Sequence, residues 1–222
     1  MKSFNNDRQM FDTMQGKLYT GVVCDVLDEL GYRNQAMRLD IRPLDKDYIV
    51  TGRAKTILAV DIYEILQDPY RGEIEAVDSL KEDEVVVLAT NRSQLNGIWG
   101  ELMSTASKGR GARGAIIDGI TRDSKKILQL GFPVFTVALK PLDSKGRGMV
   151  LKYDCPIMCG DIMVYPGDVI FGDIDGVVVI PSKIAEEVCL QALAKVEKED
   201  QSREELLNGA YLKDVYEKYK VL

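Results

Sequence analysis

Histidine is absent from this chain of 222 residues. Its absence removes the commonest metal ligand, the usual general base and every Ser-His or Cys-His nucleophile pair. Catalysis would have to use carboxylates, Lys, Arg, Tyr, Cys, backbone amides or a metal. A metal held without imidazole takes mainly oxygen ligands, which suit magnesium or manganese better than zinc. Long apolar runs are missing too. Val85 to Ala89 and Val177 to Ile180 fall far short of the roughly 20 residues a membrane-spanning helix needs, so no membrane partner is expected. The first residues, Met1 to Phe11, are polar and carry Asp7 and Arg8 where a signal peptide would be apolar, which predicts a cytoplasmic protein. No long basic stretch stands against the net charge of -6, and the cluster Lys108, Arg110 and Arg113 is short, so nucleic acid is not an expected partner. Cysteine is sparse. Cys24, Cys155, Cys159 and Cys189 are expected as reduced, buried thiols, and no second pair stands ready to complete a zinc site with Cys155 and Cys159.

What is present reads as one α/β domain. Asp7 to Gln15 is an amphipathic helix, and Thr20 is placed to cap a second helix that runs through Leu30 and stops at Gly31. Arg53 to Val60 is a strand and Ile74 to Leu80 a short helix. Val85 to Ala89 and Gly114 to Asp118 are continuous apolar runs, the pattern of strands buried on both faces. Between and after them, Trp99 to Gly109 and Asp123 to Leu130 read as helices, the latter stopped by Gly131, and Val134 to Val137 as a third buried strand. This alternation implies a core of largely parallel strands. After Pro141 the pattern is β-rich, with turns at Tyr165 to Asp168 and Asp173 to Gly176 and a last strand at Val177 to Ile180. A long helix from about Lys183 to Leu207 and a shorter one from Ala210 to Tyr219 close the chain. The division is residues 1–50 for N-terminal helices, 51–181 for the α/β core and 182–222 for C-terminal helices.

In open α/β sheets ligands collect beyond the carboxyl ends of strands. Arg122 and Asp123 stand there, after the strand ending at Asp118 and a turn containing Gly119. An ordinary explanation also exists, with Asp123 as a helix cap and Arg122 in a surface ion pair. A second candidate is Gly100, Glu101, Leu102 and Met103, where a glycine opens a helix whose first amides could receive a carboxylate. The plain alternative is a helix start with Glu101 set against the dipole. Lys108, Lys125 and Lys140 could form a Schiff base, but the sequence singles out none of them.

Three segments together resemble a known family: Trp99-Gly100-Glu101-Leu102, Gly114 through Asp123, and Gly131-Phe132-Pro133-Val134-Phe135. With Asp143-Ser144-Lys145-Gly146-Arg147, Pro166-Gly167-Asp168 and Asp173 through Pro181, they resemble the RraA-like proteins and 4-hydroxy-4-methyl-2-oxoglutarate aldolases. The resemblance implies a swivelling β/β/α domain, with N-terminal helices and a long C-terminal helical extension, assembled as a homotrimer or homohexamer with sites at subunit boundaries. It implies that the backbone of Gly100 to Met103 holds a small 2-oxo acid, that Arg122 binds its carboxylate or carbonyl end, and that Asp123 ligates Mg2+ or Mn2+. The implied activity is a metal-dependent aldolase that releases pyruvate, with oxaloacetate decarboxylation alongside. A carboxylate of a neighbouring subunit, for example Glu197 or Glu199, could reach the site. The family also contains regulators that bind an RNA-degrading endonuclease, and a lyase acting on a sugar-derived acid is a further reading. For the latter, Asp143 to Arg147 is either a substrate-contacting loop or an exposed turn. A methyltransferase finds no glycine-rich nucleotide loop here.

Overall fold

The computed structural model describes residues 4–221. Helices α1 (Asp7–Lys17) and α2 (Thr20–Glu29) precede β1 (Arg42–Pro43), β2 (Val50–Asp61), α3 (Arg71–Asp78), β3 (Glu84–Ala89), α4 (Glu101–Gly109), β4 (Gly114–Thr121), α5 (Ser124–Leu130) and β5 (Val134–Leu139). Five short strands follow: β6 (Gly148–Tyr153), β7 (Ile157–Cys159), β8 (Ile162–Val164), β9 (Val169–Asp173) and β10 (Gly176–Ile180). A 3-10 turn at Ser182–Ile184 then leads into α6 (Ala185–Leu207) and α7 (Leu212–Tyr219).

Strands β2, β3, β4 and β5 are neighbours and run parallel, joined by α3, α4 and α5 as crossovers. The apolar run in β3 is continuous because both its faces are covered. Val86 and Leu88 pack with Ala76 and Val77 of α3 and Ile127 of α5. Val85, Val87 and Ala89 pack with Ile157, Cys159, Ile162 and Val164 of the β7–β8 hairpin. The layers are therefore hairpin, main sheet and helices, the expected β/β/α arrangement. The sheet continues antiparallel from β2 through β9 to β10, while β6 pairs with the far end of β2 and β1 with β5. Arg42 of β1 comes within 3.2 Å of where a side chain on Gly176 of β10 would begin, so the sheet nearly closes on itself. Helices α1, α2 and α6 cover Val169, Phe171, Val178 and Ile180 from outside.

Three local expectations are corrected. Thr20 is the first residue of α2 and not its cap. Its amide and its hydroxyl both donate to the Asp173 carboxylate at 2.8 Å, so an acid 153 residues away satisfies the helix end. Replacing Asp173 by alanine should cost about 1–2 kcal/mol of stability, read as a lower urea midpoint with an unchanged slope. An unchanged midpoint would show that water caps the helix equally well. Gly119 does not lie in a turn but within β4, whose register against β5 shifts between Ile117 and Ile120. A side chain there would begin 2.5 Å from the Thr90 hydroxyl, so glycine is required by close approach. Finally, α4 starts at Glu101, because Trp99 bridges to Thr121 at the end of β4.

All four cysteines are free. Cys155, Cys159 and Cys189 are buried, Cys24 is partly exposed, and burial pushes the Cys189 thiol up to about 12, so it is no ready nucleophile. No helix among the described residues is long and apolar enough to cross a membrane.

Candidate active site

The parallel strands β3 and β4 end side by side, and the segment between them returns to lie against the end of β4. Asp61 fixes that return by accepting hydrogen bonds from Ser93 Oγ and Asn96 Nδ2, both at 2.6 Å. Trp99, fully buried, donates through Nε1 to Ser104 Oγ at 2.9 Å, and its carbonyl accepts from the Arg122 amide at 3.0 Å. The start of α4 is thereby placed next to Arg122 and Asp123. Gly100, Glu101, Leu102 and Met103 line one cleft of about 360 Å³ together with Arg122 and Asp123, so the two segments singled out in the sequence share a site.

Gly100 is needed there for space. Its backbone is extended, which any residue could adopt, but an added Cβ would lie 2.9 Å from Asp123 Oδ2 and 3.2 Å from Arg122 Nε. The first-turn amides of α4 have no acceptor within their own helix, and their residues line the cleft.

The ordinary explanation of Asp123 as a cap does not hold. It occupies the cap position of α5, but with left-handed φ 59° and ψ 26° and no capping hydrogen bond. Its Oδ2 turns towards α4 instead, accepting a long bond from the Glu101 amide at 3.4 Å and lying 3.6 Å from Arg122 Nε. A left-handed conformation costs a non-glycine residue on the order of 1 kcal/mol, and such strain collects at functional sites. The Asp123 side chain remains 46% exposed, so a hard cation could reach it. Among the described residues no group of three or more His, Cys, Asp or Glu could hold a metal, so this chain by itself builds no closed metal cage at Asp123. One carboxylate plus waters fits magnesium. The neighbouring acid Asp118 is committed elsewhere, buried in an ion pair with Arg38 and accepting from the Gly160 amide at 3.2 Å.

Asp143 completes the surroundings of Arg122, with Oδ1 lying 3.3 Å from Arg122 Nη1 and Oδ2 accepting from the Tyr70 hydroxyl at 2.6 Å. Burial alone would raise the Asp143 carboxyl. The Tyr70 hydroxyl, the Arg122 guanidinium and the backbone amides of Ser144 and Lys145 outweigh it and hold the group below the usual carboxylate range. Of the charged loop Asp143 to Arg147, only Asp143 and Ser144 line the cleft.

Tyr70 and Glu73 were not singled out by sequence. Helix α3 starts at Arg71, a turn before the expected Ile74, and this brings both residues into the cleft. Glu73 is 6% exposed and its Oε1 accepts no hydrogen bond from the protein. Burial pushes its carboxyl up to about 7; the charge of Asp143 adds to this, and the Ser144 hydroxyl and Arg122 offset it only in part. In sequence it stands just before the expected helix start at Ile74, an ordinary acid near a helix N-terminus, and no local signal separates it from Glu75. Glu197 and Glu199 lie on α6 and do not line the cleft of their own chain.

Residues 20–179 match the family described as RraA-like: Aldolase/RraA. A protein of Halalkalibacterium halodurans named as a candidate 4-hydroxy-4-methyl-2-oxoglutarate aldolase is 30% identical over 198 residues, covering 89% of both chains. Protein DlpA of Legionella pneumophila is 26% identical over 94% of this chain, which spans only 34% of that longer protein. Among solved structures, one described as novel cellulases from gut-associated microbes is 35% identical with a TM-score of 0.84, covering 90% of each chain. Another is RraAS2 of Streptomyces coelicolor, described as an unusual member of the RNase ES inhibitor RraA family. It is 25% identical with a TM-score of 0.80 and covers 90% of this chain and 100% of that one. The match across most of the chain and the shared fold establish that this protein belongs to the RraA-like family.

Proposed function

We propose that this protein is a divalent-metal-dependent carbon–carbon lyase that releases pyruvate from a 4-hydroxy-2-oxo acid, such as 4-hydroxy-4-methyl-2-oxoglutarate, and also decarboxylates oxaloacetate. The observation that carries the reading is Asp123, held in a strained backbone and not used as a cap of its own helix, beside Arg122 and the first turn of α4. The aldolase name of the Halalkalibacterium halodurans relative supports it.

Each group has a task in this chemistry. Arg122 presents a planar fork of donors to the substrate carboxylate, and Asp143 with Tyr70 keeps that fork in place. The first-turn amides of α4 offer donors to the oxygens of the 2-oxo acid, where negative charge grows as the bond breaks. Asp123 would hold magnesium or manganese, which when bound supplies Lewis-acid polarisation of the substrate carbonyl. The working unit in this reading is a homotrimer or homohexamer, in which Leu102 and Ile74, exposed at 77% and 54%, would be covered by a neighbouring subunit.

A second reading is favoured by the charges of the cleft. Its lining contains one cation, Arg122, against the acids Glu73, Glu101, Asp123 and Asp143. A second substrate carboxylate finds no counter-charge in this chain, whereas a hydroxylated neutral tail could donate to those acids and to Ser144. A sugar-derived 2-oxo acid fits that description. The reading as a regulator that docks on a nuclease is tested by mixing the two, where unchanged nuclease rates would count against it.

The test is pyruvate release over a panel that includes 4-hydroxy-4-methyl-2-oxoglutarate, oxaloacetate and 2-oxo-3-deoxy sugar acids. Activity should require magnesium or manganese, stop with EDTA and return on adding the ion. Pyruvate release that ignores EDTA, or none from any member of the panel, would overturn the reading.

A further inference from the structure

The acids of the cleft differ in how they are employed. Asp143 accepts from Tyr70 and from the Ser144 amide, and Glu101 Oε1 accepts from Thr105 Oγ1 at 2.9 Å. Asp123 faces Arg122 and the Glu101 amide. Glu73 alone among them is buried with an oxygen that the protein leaves unpaired. Its position, third in α3, is the one from which a glutamate commonly reaches back to the cap residue's amide. No such bond forms here, so capping does not explain it. Burying a carboxyl oxygen without a partner costs free energy, and such an atom in a cleft wall points to a ligand that completes it.

Carbon–carbon cleavage of a 4-hydroxy-2-oxo acid requires a base for the C4 hydroxyl, and the chain has no histidine to serve. Building on the lyase reading above, we propose that Glu73 is the catalytic residue that takes the proton from the substrate's C4 hydroxyl and returns it to C3 of the product. As the O–H bond breaks, C4–O becomes the carbonyl of the leaving fragment. The C3–C4 electron pair moves into the C2 carbonyl and gives the enolate of pyruvate. The proton carried by Glu73 then forms the new C3–H bond, so the proton balance closes within the cleft. The surroundings suit the task, since burial brings the Glu73 carboxyl to about 7, where it can both accept and give back a proton. Asp143, held in its ionised form by Tyr70 and Arg122, is the weaker base.

Decarboxylation of oxaloacetate forms the same enolate with no hydroxyl proton to remove, so the two reactions separate this role from a structural one. With magnesium present, Glu73→Gln should lower cleavage of 4-hydroxy-4-methyl-2-oxoglutarate about 10²–10⁴-fold. CO2 release from oxaloacetate, whose bond breaks without a base, and product inhibition by pyruvate, which reports the Arg122 end of the site, should be kept, the enolate then taking its C3 proton from solvent. In D2O the parent should exchange the methyl protons of pyruvate, seen by NMR, and the variant should not. If the glutamine variant fails to fold, Glu73→Asp, one methylene short, carries the same comparison. Equal losses in both reactions, or unaltered cleavage and exchange, would overturn the proposal. A parent protein that performs neither reaction and releases no pyruvate from the sugar acids would overturn the lyase reading itself.

Discussion

Asp123→Asn is expected to lower kcat/KM for pyruvate release by about a thousandfold or more, equivalent to about 4 kcal/mol of transition-state stabilisation. The amide keeps the size of the carboxylate but carries no charge, so it anchors a hard divalent cation poorly. Asparagine is the informative substitution because position 123 is left-handed, φ 59°, and Asn tolerates that region about as well as Asp. Asp123→Ala should lose the same activity and in addition about 1 kcal/mol of stability from the strained backbone. The Asn variant should melt with the parent, since the Asp123 side chain caps no amide of its own helix and Asn keeps an oxygen for the Glu101 amide. Metal titration followed by activity and by calorimetry checks both parts. An Asn variant that keeps the parent's rate and its magnesium requirement would remove Asp123 from the site.

The second large effect concerns stability and pH. In the folded protein the Glu73 carboxyl is raised from 4.5 to about 7, with burial the main cause, Asp143 adding to it, and Ser144 and Arg122 opposing. A carboxyl raised on folding binds its proton more tightly in the native state than in the unfolded chain. Its contribution to stability is therefore fully present below about pH 4.5 and is lost as pH rises through about 7. The loss above that pH amounts to about 3 kcal/mol. Glu73→Gln has no proton to lose. Its urea midpoint should match the parent's near pH 4.5 and exceed it at pH 8, the gap opening between those values. A gap of the same size at both pH values, or none at pH 8, would mark Glu73 as an ordinary carboxyl. Together with the loss of cleavage expected from the same substitution, a more stable but less active variant is the pattern of a residue retained at a cost in stability.

The parallel core was legible because its signals are local. Val85 to Ala89 is apolar at every position, and this run alone implies cover on both faces, which the hairpin and the helices supply. Gly131 stops α5 in a left-handed conformation at φ 64°, as its place in the sequence implies. Gly119 was misread because a glycine marks either a turn or a close approach, and only the position of Thr90 on the neighbouring segment decides between them. Thr20 was misread for a similar reason, since its true partner Asp173 arrives from the other end of the fold.

The chain's order of apolar runs, glycines and charges was enough to determine the alternating architecture, the pairing of Arg122 with Asp123 beyond a buried strand, and the resemblance to a family. These are properties of neighbours in sequence, and local sterics and hydrophobic periodicity control them. Only the tertiary structure decided that Tyr70, Glu73 and Asp143 meet at Arg122, and that Asp123 turns away from its own helix. Those facts depend on which strands lie side by side and on what burial does to a carboxyl, and both follow from how distant segments pack.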